Sequence, residues 1–449
     1  MKKLLLAIPL VAGASWAGAT FYTGSQTQSA YDKLLVQLND YKPFTLVNES
    51  YTSGLVSSRA ITKVMDSSGP DAQVLFRLQH DIQHSPIGVN EGNLRVSAAN
   101  IKTTLVRDQS IPESVSQFMA GFTDAEPVQI NTAVGFDGKT VNQFLISAYE
   151  HDYEDIQVRF NGVDYTANVD GDVFIGEGTV GELVVSGDDG QMRLSPGKIA
   201  TNLTRIGKHV FSGSYGVEFD KLSIDANDMP FDIALQEIAL TSDSDVDNDS
   251  LNTAAKFAIG NIDAPIPLNS ASLEVALDRL SIAGMQDYVD AISQISLTSA
   301  AMGSDVDDLQ VVLDAYKSLI TPGLGLNYTI KATNDGGDAE LAYGLNVIEK
   351  TSPHFPAGGL TSVETVRDAL NIIELNARLD ADAAALDMTP AAMFLLSPQA
   401  QQVIVSDGVS YKADVQLSNL IVNINGNPMS LELMIGEMLD TPLSALGSI

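Results

Sequence analysis

Apolar and polar residues alternate with a period of two along most of this chain, the pattern of strands that bury one face. From Val409 onward Tyr411, Ala413, Val415 and Leu417 share one face, and Leu420, Val422 and Ile424 continue in shifted phase. That slip near Ser418-Asn419 predicts a bulge that bends the strand. Turn dipeptides punctuate the alternation at Asp137-Gly138, Asn161-Gly162, Asp170-Gly171, Asp189-Gly190, Asp335-Gly336, Asp407-Gly408 and Asn425-Gly426. Each supplies the φ > 0 backbone that a tight hairpin needs, so the sheet is expected to be antiparallel.

Helical spacing breaks in at a few places. Ser304 and Asp307 form a capping pair ahead of Val306, Leu309, Leu313, Tyr316 and Ile320, and Thr321-Pro322-Gly323 ends the segment. Further helices are expected from about Met285 to Ile295, from Thr361 with Glu364, from Thr389-Pro390 to Ser397-Pro398, and over Gln28 to Leu38. No repeat of 20 to 50 residues marks a solenoid.

Residues 4–21 carry no charge and follow Met1-Lys2-Lys3. Eighteen uncharged residues are about enough to cross a ~30 Å hydrocarbon core, and the two lysines are expected to stay cytoplasmic by the positive-inside rule. Trp16, Phe21 and Tyr22 have the character of interfacial anchors, so the leader is expected to be retained; cleavage after Ala19, in the small-residue run Ala17-Gly18-Ala19, is the alternative. The expected fold class is therefore α+β and β-dominated. An N-terminal membrane helix leads into a long, curved, mostly antiparallel sheet with a few packing helices. The expected divisions are 1–27 as signal anchor, 28–270 as a β-rich periplasmic part and 271–449 as an α+β part.

Composition narrows the partners. With 25 Lys+Arg against 57 Asp+Glu the net charge is −32, which opposes nucleic acid and anionic membrane surfaces. Cysteine is absent, which removes disulfides and thiolate sites. Stability rests on burial and hydrogen bonding.

No local motif carries chemistry through to a site. Gly176-Glu177-Gly178-Thr179-Val180-Gly181 matches the dinucleotide fingerprint, but strand-like residues follow where a helix N-terminus is needed, so a glycine-rich hairpin is expected. Gly138-Lys139-Thr140 ends like a phosphate loop, yet Ala133 stands where the motif needs glycine; a turn is expected. His80 and His84 have the spacing of a helical zinc site. The alternation from Val74 to His84 favours a strand, which would set them roughly 13 Å apart. His151, His209 and His354 are isolated in sequence. In the acidic run Asp243 to Asp249, Asn248 and Ala254 fail the calcium-loop positions, leaving a solvated connection, with weak calcium binding in another geometry as the alternative. No catalytic, cofactor or metal residues are assigned.

Four segments resemble the YdgA-like family of bacterial envelope proteins. Trp16 to Tyr22-Thr23-Gly24 is similar to its membrane exit, and Tyr51-Thr52-Ser53-Gly54 to a strand with tyrosine, glycine and serine. His84-Ser85-Pro86 resembles a His-Gly-Pro segment with serine for glycine, and Asn423 to Met429, with Asn425-Gly426, resembles the closing strand and turn. The resemblance implies a periplasmic protein tethered to the inner membrane, without known catalytic residues. In plan the chain is also similar to the AsmA-like envelope proteins, an anchor followed by a long curved sheet. The expected function is thus noncatalytic binding of an envelope protein or a lipid. A lipid-shielding conduit and a hydrolase assembled from residues distant in sequence are the alternatives. The sheet's apolar face is expected to pack under helices rather than stand open.

Overall fold

The computed structural model describes residues 31–32, 35–36, 39, 44–54, 56–66, 74–84, 87–90, 93–106, 113–153, 155–208, 210–227, 231–266, 268–294, 317–387, 389, 392, 395, 397–398 and 400–446. One long antiparallel sheet carries 24 of the described strands, and the helices are few and short. The β-dominated class is therefore as the alternation predicts. Among the described residues no helix is long and apolar enough to cross a membrane. The leader, with Lys2, Lys3, Trp16, Phe21 and Tyr22, lies outside the described residues.

Two compact units divide the chain. Unit 1 comprises Met1–Phe219, Ile224–Asp228 and Gln286–Ala315; unit 2 comprises Asp220–Ser223, Met229–Met285 and Tyr316–Ile449. The strands of unit 1 are β1 (Phe44–Thr52), β2 (Ser57–Asp66), β3 (Val74–Gln83), the separate hairpin β4 (Ile87–Asn90) and β5 (Asn93–Val96), β6 (Ala99–Val106), β7 (Val128–Val134), β8 (Thr140–Ile146), β9 (Tyr149–Tyr153), β10 (Ile156–Phe160), β11 (Val163–Asp170), β12 (Val173–Val180), β13 (Leu183–Gly187), β14 (Gly190–Leu194), β15 (Gly197–Arg205) and most of β16 (Phe211–Ala226). Pairing runs β1–β2–β3–β6–β7–β8–β11–β12–β15–β16.

Within it, β8+β9, β10+β11, β12+β13 and β14+β15 are four long strands, each interrupted by two residues at one level: Ser147-Ala148, Asn161-Gly162, Gly181-Glu182 and Ser195-Pro196. The result is a shared crease across which the inward phase slips by one, from Ile146 to Tyr149 and from Phe160 to Val163. Glycine is required there: Gly162 has φ +85°, and a Cβ on it would stand 2.2 Å from the Ile146 carbonyl oxygen. The backbone stays satisfied because Asn161 N–H donates to Glu182 O at 2.9 Å and Gly181 N–H to Gly162 O at 2.7 Å.

Two expectations change here. Asn161-Gly162 is part of the crease, not a hairpin turn. The expected glycine-rich hairpin is instead strand β12 running into the crease. Gly176 leaves room for the Tyr165 hydroxyl, which a Cβ would approach to 2.0 Å. Asp137-Gly138, Asp170-Gly171 and Asp189-Gly190 do connect paired strands.

Unit 2 is an antiparallel series of β17 (Ile233–Asp247), β18 (Ser250–Asp263), β19 (Ser270–Ser281), β20 (Gly325–Asn334), β21 (Gly337–Val347), β22 (Ile373–Asp382), β24 (Ser410–Ser418), β25 (Ile421–Ile424) and β26 (Asn427–Ser430), with the short β23 (Val405–Ser406) beside β24. Here the predicted bulge at Ser418-Asn419 is corrected to a chain reversal. Asn419 and Leu420 have φ of 49° and 59°, the two positive values of a type I′ turn, and Leu417 pairs with Val422. The acidic run is not a loose connection either: Asp243, Asp245 and Asp247 stand on β17, and Asn248, φ 55°, turns the chain into β18.

The expected helix near Met285 is present over Ile282–Gln294. The one expected from Thr361 begins later, at Val366. Thr365 caps it by accepting from Asp368 N–H, and the Asp368 carboxylate accepts from Thr365 N–H in return. Of the other expected helices, residues 31–32, 35–36, 317–319, 392 and 395 are helical, and the rest of those segments lies outside the described residues.

Candidate functional site

Two inward faces are built by the same alternation and end differently. In unit 1 the face of β1, β2, β3, β6 and β7 is covered. Tyr31 and Leu35, one helical turn apart, pack on Leu46, Ala60, Val64, Ile82, Ala99, Ile101 and Val134. Polar residues stand among these apolar ones, and they are linked. Tyr31 Oη lies 2.5 Å from Thr62 Oγ1, Thr62 Oγ1 lies 2.8 Å from His80 Nε2, and His80 Nδ1 lies 2.9 Å from Thr103 Oγ1. Either direction of the relay satisfies all three bonds: Tyr31 donates to Thr62, Thr62 to Nε2 and Nδ1–H to Thr103, or Thr103 donates to Nδ1, Nε2–H to Thr62 and Thr62 to Tyr31.

Burial raises the Tyr31 phenol to about 12 and lowers the His80 imidazole to about 4, so both are neutral at ordinary pH. Asn39 stitches the same cover to β1. Its amide donates to Leu46 O at 2.9 Å, and its oxygen accepts from Leu46 N–H at 2.6 Å. On the neighbouring strands Thr132 donates to the buried Asn142 at 2.8 Å, and Asn142 donates to Thr140 at 3.0 Å.

Unit 2 presents the opposite case. Directly paired residues form an unbroken apolar row across seven strands: Leu240, Phe257, Leu273, Ile330, Leu341, Leu379 and Ala413. Leu240, Phe257, Leu273, Ile330 and Leu341 are 40–46% exposed. Six interstrand steps at ~4.8 Å make this row about 29 Å long. Parallel rows flank it. One holds Val275, the Tyr328–Tyr343 ring pair at 6.4 Å, Ala377 and Val415; another holds Leu277, Leu326, Leu345, Leu375 and Leu417. A third is small, with Ala271, Ala332, Ala339 and Ala381.

None of these rows contains a charge. The reverse face carries Lys256, Lys331, Glu340, Arg378, Asp380, Lys412 and Asp414, with Lys331 and Glu340 paired at 3.1 Å. Exposure along the long row ends at β24, where Ala413 is buried, as is Leu417 in the flanking row. Both margins of the lane are closed as well, by buried Leu251, Leu280, Val347 and Ile372 on one side and by Ile262 and Ala383 on the other. The expectation that helices cover the apolar face thus holds on the first strands of unit 1 and fails on the central lane of unit 2.

The residues singled out by sequence are scattered. Tyr51 packs on Tyr31 at 5.7 Å in the covered core, and its hydroxyl is a buried group without a hydrogen-bond partner. Gly54 permits a close approach, since a Cβ would stand 2.4 Å from Ser57 O. His84 pairs with Ser58 Oγ at 2.9 Å, whereas Pro86 lies outside the described residues. Asn425 and Gly426, with φ of 52° and 84°, make the β25–β26 turn. His80 does lie on strand β3, as the alternation requires. Among the described residues no three His, Asp or Glu side chains are grouped as a metal ion would need. Sequence reasoning missed both the Tyr31–Thr62–His80–Thr103 chain and the open lane. The lane's signal was present: laying the strands out from their turns aligns its large apolar residues.

Fold and faces together define an antiparallel β-sheet scaffold whose described residues present a covered face in unit 1 and an uncovered apolar lane in unit 2. The chain belongs to the family described as bacterial protein of unknown function (DUF945), whose model matches residues 1–432. It is similar to Protein YdgA of Escherichia coli (strain K12), 22% identical over 292 residues that cover 58% of this chain and 56% of the relative. It is also similar to the uncharacterized protein YihF of the same organism, 23% identical over 182 residues, 36% of this chain and 37% of the relative. The chain thus spans little more than half the length of the first relative and less of the second. No solved structure matches. The YdgA-like resemblance read from four short segments is borne out by this membership.

Proposed function

We propose that this is a noncatalytic bacterial envelope protein, tethered to the inner membrane by its leader, that shelters lipid acyl chains on the open lane of unit 2. The observation that carries the reading is the row from Leu240 to Leu341, apolar on every strand and 40–46% exposed on five of them. Together the rows cover about 29 Å by about 20 Å, on the order of 600 Å², at the upper limit of the largest apolar patch on an ordinary monomer. One leaflet's acyl chain spans roughly half of a ~30 Å core, so the row has the length to hold one lying across the strands.

The noncatalytic part is supported by His80. Both of its ring nitrogens are held by threonines, which suits a structural histidine better than a base that must reach a substrate. The tether is supported by the uncharged residues 4–21 behind Lys2 and Lys3.

Photo-crosslinking residues placed at Phe257, Ile330 and Leu341 test the lane, with Lys256 and Glu340 on the reverse face as controls. Phospholipid adducts at the first three positions alone are expected. Equal capture on both faces, or none, would overturn the reading. A mature chain that begins at Thr20 and washes off membranes with carbonate would overturn the tether.

A further inference from the structure

We infer that Tyr328 and Tyr343 make the lane selective for lipids whose chains are joined by esters, against lipids whose chains are joined by ethers; this rests on the acyl-shelter reading above. On β19 to β22 every side chain in the four rows is hydrocarbon except these two. They stand directly opposite one another on β20 and β21, with ring centroids 6.4 Å apart, and are 36% and 39% exposed. Their row runs between two others, with Leu273, Ile330 and Leu341 on one side and Leu277, Leu326 and Leu345 on the other. Neighbouring rows on one face are two residues apart, roughly 6.6 Å. A lipid with two chains can lay one along each flanking row, which brings the groups that join the chains over the tyrosines.

The rings and the hydroxyls have separate roles. A pair of rings across two strands stabilises their pairing, and phenylalanine would serve that purpose equally. The hydroxyls add nothing to it, since neither has a hydrogen-bond partner among the described residues. While the lane is exposed, solvent satisfies them. Once chains lie over the rows water is excluded, and each phenol must donate to the ligand or be left unpaired. An ester carbonyl accepts such a bond, whereas an ether lacks the carbonyl and its oxygen is a poorer acceptor. With no lysine or arginine in the rows, these phenols are the donors that β20 and β21 can offer a ligand. The selectivity is therefore mainly a penalty on the lipid that cannot pair them.

The experiment uses the full-length chain in mild detergent with a crosslinking residue at Phe257. It is presented with chain-labelled diester phosphatidylcholine or with the dialkyl ether analogue that carries the same headgroup. Capture of the diester about tenfold above the diether is expected. In the double variant Tyr328→Phe, Tyr343→Phe the ring pair is kept, so the urea midpoint should not move, and the preference should fall to within about twofold of parity as diether capture rises. On the unsubstituted chain the infrared carbonyl band of bound diester should shift to lower frequency than in detergent alone. Equal capture of diester and diether, a preference that survives the double substitution, or an unshifted carbonyl band overturns the role of the tyrosines and leaves the acyl shelter standing. Capture of neither lipid overturns the acyl shelter, and the selectivity with it.

Discussion

The first strands of unit 1 and the central strands of unit 2 follow one rule of alternation and reach opposite ends. On β2, β3 and β6 the inward positions include Thr62, His80 and Thr103, and a helical turn bearing Tyr31 and Leu35 closes over them. On β17 to β21 the corresponding central row is Leu240, Phe257, Leu273, Ile330 and Leu341, with no polar atom in its side chains and no cover. Inward polar groups are costly unless paired, so the covered face admits one cover in one position. A purely apolar lane specifies nothing about its occupant beyond being apolar. The contrast separates a face that must be closed to be stable from one that can exchange what lies on it.

The largest effect should come from placing a charge on each face. Val64 is fully buried, and Val64→Asp strands a carboxylate in the unit 1 core; a loss of about 4 kcal/mol or more is expected, enough to prevent folding. Ile330→Asp on the open lane should cost about 1 kcal/mol or less by urea denaturation and should abolish lipid crosslinking at Phe257. If Ile330→Asp destabilises as much as Val64→Asp, the lane is covered and the comparison collapses.

Acid should act on the covered face and spare the lane. Unfolded, His80 titrates near 6.5; folded, its burial holds it near 4. Between those values the unfolded chain takes up a proton that the folded chain refuses. This contribution is complete above about pH 6.5 and declines as the pH falls toward 4, by at most about 3 kcal/mol. His80→Gln should lower stability at pH 7 and flatten the slope between pH 6.5 and 4, measured as urea midpoints across that range. A slope unchanged by the substitution would assign the acid sensitivity to other groups.

Next in size is Thr62→Val, which removes the hydroxyl between Tyr31 and His80. The Tyr31 hydroxyl and the His80 Nε2 each lose a partner inside the covered core, at a cost of about 1 to 3 kcal/mol. Because the lost bond ties the Tyr31 segment down, proteolysis near residue 31 should accelerate more than global unfolding does. Equal acceleration of both would make the chain a general core element and not a fastening for its cover.

Much of the sheet was legible because hairpin chemistry is local. Asp170-Gly171, Asp189-Gly190, Asp335-Gly336 and Asn425-Gly426 all join strands that pair with each other. The crease was not, because Asn161-Gly162 uses the same positive φ to break a strand as others use to reverse one; only the four aligned interruptions tell them apart. The fate of each face was illegible for a different reason. Alternation reports that a face is apolar, but its cover comes from elsewhere in the chain, as Tyr31 reaches Thr62 across 31 residues. His80 was readable as a strand residue. Its partners, at distances of 18 and 23 residues, were not.

The smallest effect concerns how the lane is closed. Leu420 sits in the β24–β25 turn with φ 59°, a conformation that costs an L-residue about 1 to 2 kcal/mol, yet its side chain is buried beside the capped end. Leu420→Gly relieves the backbone and gives up a buried leucine worth about 1.5 to 3 kcal/mol, so the two terms nearly cancel. A net loss of about 1 kcal/mol is expected, against about 2 to 5 kcal/mol for Leu417→Ala on the adjoining strand, whose backbone is relaxed. The same pair should differ in capture: Leu417→Ala opens the blind end and lets crosslinks form at Val415, while Leu420→Gly leaves that position silent. If both variants behave alike, the burial at β24 is incidental packing and the lane has no closed end.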